Sequence, residues 1–200
     1  MADRLYLSIW FPSFEEQEML PRLLSVLKQF PFSTQRGGIG YVGVHAIGWD
    51  EPMVFEETFD YRADPERVLS VAGEFLHADN AYEMEAAWDL WTPVQEGDLD
   101  TNWELKPQTV KFTAFGTSFE NATYQQNGHI QVDFGLDAPF LYEEVDFTPA
   151  VENRIKANVH KLVSFTTNVE KNCGISGRVL WSESEDNLAQ KLIDRLQKIQ

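Results

Sequence analysis

Residues 81–91 constrain the fold more than any other stretch. Tyr82, Met84, Ala86, Trp88 and Leu90 alternate with Glu83, Glu85, Ala87, Asp89 and Trp91. A period of two over this length is a strand with one apolar face and one largely charged face. Such a strand fits an antiparallel sheet that packs helices on one side only.

The segments around it read in the same way. Residues 4–11 form a strand with Leu5, Leu7, Ile9 and Phe11 on one face and Tyr6, Ser8 and Trp10 on the other. Ser13-Phe14-Glu15-Glu16 has the S-x-x-E spacing of a capping box. Leu20, Leu23, Leu24, Leu27 and Phe30 then recur at helical spacing. Pro21 lacks an N–H and suits only a first turn, so the regular helix is expected from about Leu20. Beyond the turn at Gly37-Gly38-Ile39-Gly40, residues 41–48 and 53–61 read as a hairpin. Glu57 falls on the face of Met53, Phe55, Phe59 and Tyr61, where desolvation would be costly. A register slip or bulge at Glu56-Glu57 that returns it to water is expected. Asp64-Pro65-Glu66 opens a second helix, with Asp64 as N-cap and Pro65 in the first turn.

These elements run β-α-β-β-α-β, the order of the ferredoxin-like arrangement. Residues 93–108, with Pro93, Gly97, Pro107 and four carboxylates, read as an acidic linker. The remainder gives strands near 109–119 and 128–136, a long helix after Pro149, a strand near 177–182 and a terminal helix carrying Leu188, Leu192, Leu196 and Ile199. This β-β-α-β-α order resembles the first half with its opening β-α moved to the end, as in a degenerate duplication. The expected fold is α+β, with subdomains at 1–92 and 109–200 and helices on one face of antiparallel sheets.

Charge narrows the function. The formal net charge is -16. From Glu74 through Asp146 there are fifteen carboxylates, and the only cations are Lys106 and Lys111. From Val151 onward, eight Lys and Arg face six Asp and Glu. An acidic middle of this kind repels nucleic acid and anionic membranes and attracts basic proteins or cations. No stretch approaches the ~18 apolar residues of a membrane span, and Leu5 to Phe11 lacks the basic flank and cleavage site of a leader. The one cysteine, Cys173, cannot form an internal disulfide. A reducing cytoplasm and an ordinary thiol are the expectations.

The sheet face opposite the helices holds the candidate site. Tyr6 and Trp10 would come from the first strand, Glu83, Glu85, Asp89 and Trp91 from the strand at 81–91. His45 would join them if Val42 and Val44 point to the helices. Aromatic rings among carboxylates suit a cationic or amphipathic ligand, and a His beside a carboxylate suits general base chemistry. Packing against the second half, or plain solvation, is the commoner fate of such a face. Other motifs carry less. Asp98-Leu99-Asp100-Thr101-Asn102-Trp103-Glu104 begins like a calcium loop, but Trp103 stands where that loop needs glycine and Thr109 where it needs Glu. No histidine or cysteine spacing supports zinc, no glycine loop cradles phosphate, and no nucleophile elbow occurs. No metal or cofactor is therefore expected. The reading that follows is a non-catalytic acidic binding protein that meets a basic protein, in the manner of inhibitors or immunity proteins. Its alternatives are a small-molecule protein or enzyme using the Tyr6, Trp10, His45, Glu83 and Glu85 surface, and a self-associating domain.

Overall fold

The computed structural model describes residues 3–95, 101–142, 148–183 and 191, with backbone alone at Arg62, Gln95 and Thr101. The strands are β1 (Arg4–Trp10), β2 (Ile39–Ala46), β3 (Met53–Ala63), β4 (Asn80–Gln95), β5 (Thr101–Phe115), β6 (Ile130–Leu136) and β7 (Gly177–Ser182). They form one sheet in the order β3-β2-β4-β5-β6-β1-β7, antiparallel at every junction. The helices are α1 (Glu16–Leu27), α2 (Pro65–Ala72), the short α3 (Tyr124–Asn127) and α4 (Ala138–Leu141), and α5 (Pro149–Asn172). The fold is α+β.

Alternation along the strands decides the facing. Leu5, Leu7 and Ile9 of β1, Val42 and Val44 of β2, Tyr82, Met84 and Trp88 of β4, and Phe112 of β5 are fully buried. They share one core with Leu23 and Leu27 of α1, Val68 of α2 and Phe165 of α5. Each such side chain contributes roughly 1.5–3 kcal/mol through removal from water.

The element order of the first half is as the sequence suggests, but the strands pair differently from a ferredoxin-like sheet. That arrangement would seat β1 beside β4. Here β4 takes β5 as its neighbour, and the two pair from Ala81 against Phe115 to Gln95 against Thr101. β5 then takes β6, and β1 lies between β6 and β7. Strands from the expected halves thus interleave in one sheet. Of the stretch that reads as a linker, 93–95 and 101–108 are strand, and 96–100 lie outside the described residues. Its prolines fit because of the ladder's alternation. The Trp91 N–H and carbonyl bond to groups outside the hairpin, so the residues at 89, 91 and 93 and their partners at 107, 105 and 103 turn their backbones away from the ladder. Pro93 and Pro107 occupy two of these positions, where a missing N–H breaks no β4–β5 bond.

Local corrections have equally plain causes. α1 starts at Glu16, not near Leu20. Pro21 lies on its exposed side, where water can serve the carbonyl that its missing N–H cannot. The capping carboxylate is Glu18, which accepts from the Glu15 N–H at 3.1 Å and from the Ser13 hydroxyl. Glu16 instead accepts from the Ala78 N–H at 3.0 Å. α2 has the expected cap, with Asp64 accepting from Glu66 N at 2.8 Å. Glu57 pairs with Val42 on the helix side without a bulge, and is exposed because β3 is the sheet's edge. The described strand at 101–115 ends before 116–119, and the terminal helix lies outside the described residues except for Lys191.

Beyond Ala86, β2 no longer covers β4, and other groups bond to its backbone. Ser33 N–H donates to the Ala87 carbonyl at 2.7 Å, and the Lys161 ammonium donates to the Asp89 carbonyl. Asn158, on α5 and 1% exposed, accepts from Trp91 N–H at 2.9 Å and donates to the carbonyls of Trp91 and Pro139 at 3.0 and 2.8 Å. One amide thus stands in for a missing strand. Asn158→Ala strands these backbone groups in a dry site, so urea denaturation is expected to show a loss of about 2–4 kcal/mol. A loss within the scatter of surface substitutions would show that Asn158 does not hold this edge.

Candidate functional site

The register of the strands places two polar rows on the face away from α1, α2 and α5. One runs Trp181, Tyr6, Asp133, Lys111, Glu85, Tyr41 and Thr58 across the sheet, from β7 to β3. The next runs Val179, Ser8, Gln131, Thr113, Glu83, Gly43 and Glu56. Burial of Val42 and Val44 settles the facing of β2, and Tyr41, Gly43 and His45 belong to the face away from the helices.

The sequence candidates divide into three groups here. Glu83, Glu85 and His45 are neighbours on β4 and β2. Tyr6 and Trp10 share the face but lie three strand steps away, roughly 14 Å at ordinary strand spacing. Tyr6 stacks on Trp181 with ring centroids 4.6 Å apart, and Trp10 donates to the Tyr124 carbonyl at 3.1 Å. Asp89 and Trp91 belong to the far end of β4. Asp89 is buried and accepts from the Thr34 N–H and hydroxyl, both at 2.9 Å. Burial pushes its carboxyl up, but hydrogen bonds from Ser33 and Thr34 and the charge of Lys161 outweigh that and hold it below the usual range. Trp91 is half-buried beneath the Arg154 guanidinium, 5.5 Å from its ring.

The centre of the site is Tyr41, which sequence reading passed over. Its hydroxyl lies over Gly43, where a Cβ would come within 2.6 Å of the oxygen, and donates to the Met53 sulfur at 3.4 Å. Burial and then the charges of Glu83, Glu56 and Glu85 push the phenol above its ordinary value. Lys111 pairs with Glu83 at 3.0 Å. Among the described residues no cation pairs with Glu85 or Glu56, and no group of three or more His, Cys, Asp or Glu is placed to hold a metal ion. The signal for Tyr41 was its parity with His45, legible once Val42 and Val44 are assigned to the core.

His45 packs against Trp49, with ring centroids 4.5 Å apart, and its Nδ1 is buried without a hydrogen-bond partner. Burial pushes its pKa down and Lys111 adds to this, with Glu83 opposing. Trp49 leans on Phe119 and Phe115, which with Ala81 and Tyr124 form a small second core under residues 116–127. At the other side of that segment, the His129 ring lies between Phe14 and Tyr124, 4.6 and 4.8 Å away. Its Nδ1 accepts from Phe11 N–H at 3.0 Å, so the neutral ring carries its proton on Nε2. Burial pushes the His129 pKa down. Cys173 is buried, donates to the Ser25 carbonyl at 3.3 Å, and has its pKa pushed up by burial. This is the environment of an inert thiol.

Comparison with family models, characterised proteins and solved structures finds no match to this chain. Among the described residues, no helix is long and apolar enough to cross a membrane.

The two depressed histidines make stability depend on pH. The unfolded chain takes up protons near the ordinary histidine pKa, about 6.5, before the folded chain does. Their contribution is therefore complete above that value and lost as pH falls below it. The urea midpoint is expected to drop between about pH 7 and pH 5. His129→Gln should flatten this slope. An unchanged slope in the variant would remove His129 from the account.

Proposed function

We propose that this chain is a non-catalytic binding protein whose open sheet face receives a basic protein partner, as an inhibitor neutralises a cationic surface. The observation that carries the reading is the charge around Tyr41. Glu56, Glu83 and Glu85 all act on one hydroxyl, and Lys111, already paired with Glu83, is the one cation with an ion pair there among the described residues. An aromatic ring amid surplus carboxylates suits a guanidinium or ammonium. The overall charge of -16 extends the attraction beyond contact.

Two features favour this reading over its rivals. A general base at His45 would draw on Glu83, yet Glu83 is engaged by Lys111, and His45 packs on Trp49. Self-association through this face would bring like charges together, which opposes pairing.

Carboxylates at the rim act mainly through the long-range field, whereas buried contacts set how long a complex lasts. Reversing Glu83 and Glu85 to Lys is thus expected to slow association with partners recovered by low-salt pull-down, by about tenfold or more. Salt should weaken the wild type more than the variant, because screening removes only attraction that exists. A variant that keeps the wild-type partners, rates and salt response would refute the reading.

A further inference from the structure

Large apolar side chains are exposed in one concentrated place. Ile47, Trp49, Met53 and Val54 are 61, 40, 38 and 48% exposed, all within the β2–β3 turn and its first strand residues. The other exposed large apolar residues, Leu105, Leu136, Val163 and Val179, are scattered over different elements. Single exposed apolar residues are ordinary, but a contiguous group rimmed by polar residues marks a contact surface.

The group is also held rigidly in an unfavourable shape. Ile47 has φ 69°, a region that a β-branched residue rarely enters. Its N–H donates to the Asp79 carbonyl at 2.8 Å, and its own carbonyl accepts from Glu120 N–H at 2.7 Å. The backbone is pinned from both sides, and the side chain is thrust into water. Glycine at this position would relieve the strain at no loss of hydrogen bonding. Trp49 is fixed edge-on against His45 and Phe119. Met53 pairs with His45 across the strands and accepts the Tyr41 hydroxyl. Met53 therefore joins this exposed apolar group to Tyr41 and the carboxylates around it.

We infer that this corner is the anchor point for the partner: a basic segment that seats a large apolar side chain over Ile47, Trp49 and Met53 and sets an arginine or lysine beside Tyr41, between Glu56 and Glu85. The inference rests on the basic-partner reading and gives that partner its local chemistry. Charge complementarity selects the occupant, since a second copy of this chain would bring its own carboxylates to the same place. The arrangement, with aromatic and methionine anchors at the centre and charge at the rim, is that of binding hot spots.

The test is selection of random linear peptides displayed on phage against the full chain at physiological salt. Enriched peptides are expected to carry Arg or Lys within a few residues of Trp, Phe, Leu or Ile. A synthetic peptide of that sequence should bind Ile47→Gly at least about tenfold more weakly than wild type, because the variant loses the apolar contact but none of the fold. Trp49→Ala should do the same, and Leu105→Ala, on β5, should leave binding unchanged. Basic peptides that bind Ile47→Gly and Trp49→Ala as tightly as wild type would overturn the anchor and leave the basic-partner reading standing. Enrichment of peptides without Arg or Lys, or of none, would overturn both. Concentration-dependent dimers abolished by Ile47→Gly would overturn the inference in favour of a second copy.

Discussion

The long β4–β5 hairpin outruns the strands beside it, and the rest of the molecule is arranged around that mismatch. β2 pairs with β4 only as far as Ala86, yet β4 continues to Gln95. Its outward backbone groups at 87–91 lie under α5 and the turn at Ser33, where water cannot serve all of them. Buried amide groups need partners. The chain supplies them with the Ser33 N–H, the Lys161 ammonium, the Tyr142 hydroxyl and the Asn158 amide. Three of these come from the second half of the sequence. Helix α5 is thereby tied to β4 by hydrogen bonds as well as by Leu162 and Phe165 in the core.

This tie accounts for the unusual placing of Asp89. On the same strand and with the same parity as Glu83 and Glu85, it turns inward because Thr34 and Lys161 offer it donors and charge. Lys161 is pushed down by burial and pulled up by Asp89. The two groups make each other's burial tolerable, and neither is free for the open face. Strand parity sorts side chains to a face, but the reach of neighbouring donors decides which carboxylates remain available to a partner.

That distinction marks how far the sequence could be read. The period of two at 81–91 correctly buries Tyr82, Met84 and Trp88, and Asp64 caps its helix, because facing and capping are local properties. Strand pairing is not local. Nothing in Leu5 to Ile9 says that β1 will sit between β6 and β7, and Pro93 and Pro107 argue for a loop until the ladder's alternation excuses them. The candidate face shows the same limit. Glu83 and Glu85 were legible from their alternation, whereas Tyr41 required the facing of β2. Trp91 has its partners Asn158 and Arg154 on α5, more than sixty residues away in sequence, and Asp89 is held between Thr34 and Lys161 of α5.

The sheet face away from α1, α2 and α5 carries the polar rows because those helices bury apolar surface on the other side, and its two ends differ for physical reasons. Toward β1 the aromatics are already committed: Tyr6 to Trp181, Trp10 to Tyr124, and His129 between two rings. Toward β3 the sheet ends in an edge strand beyond which no described strand pairs. An edge strand in water favours charged residues that discourage pairing with other strands, and Glu56 and Glu57 serve that end. Glu56, on the same face as Tyr41, also completes the ring of charge around that residue. One edge residue can therefore repel unwanted strands and attract a basic partner, since both effects arise from a single negative field acting on neighbours of different charge.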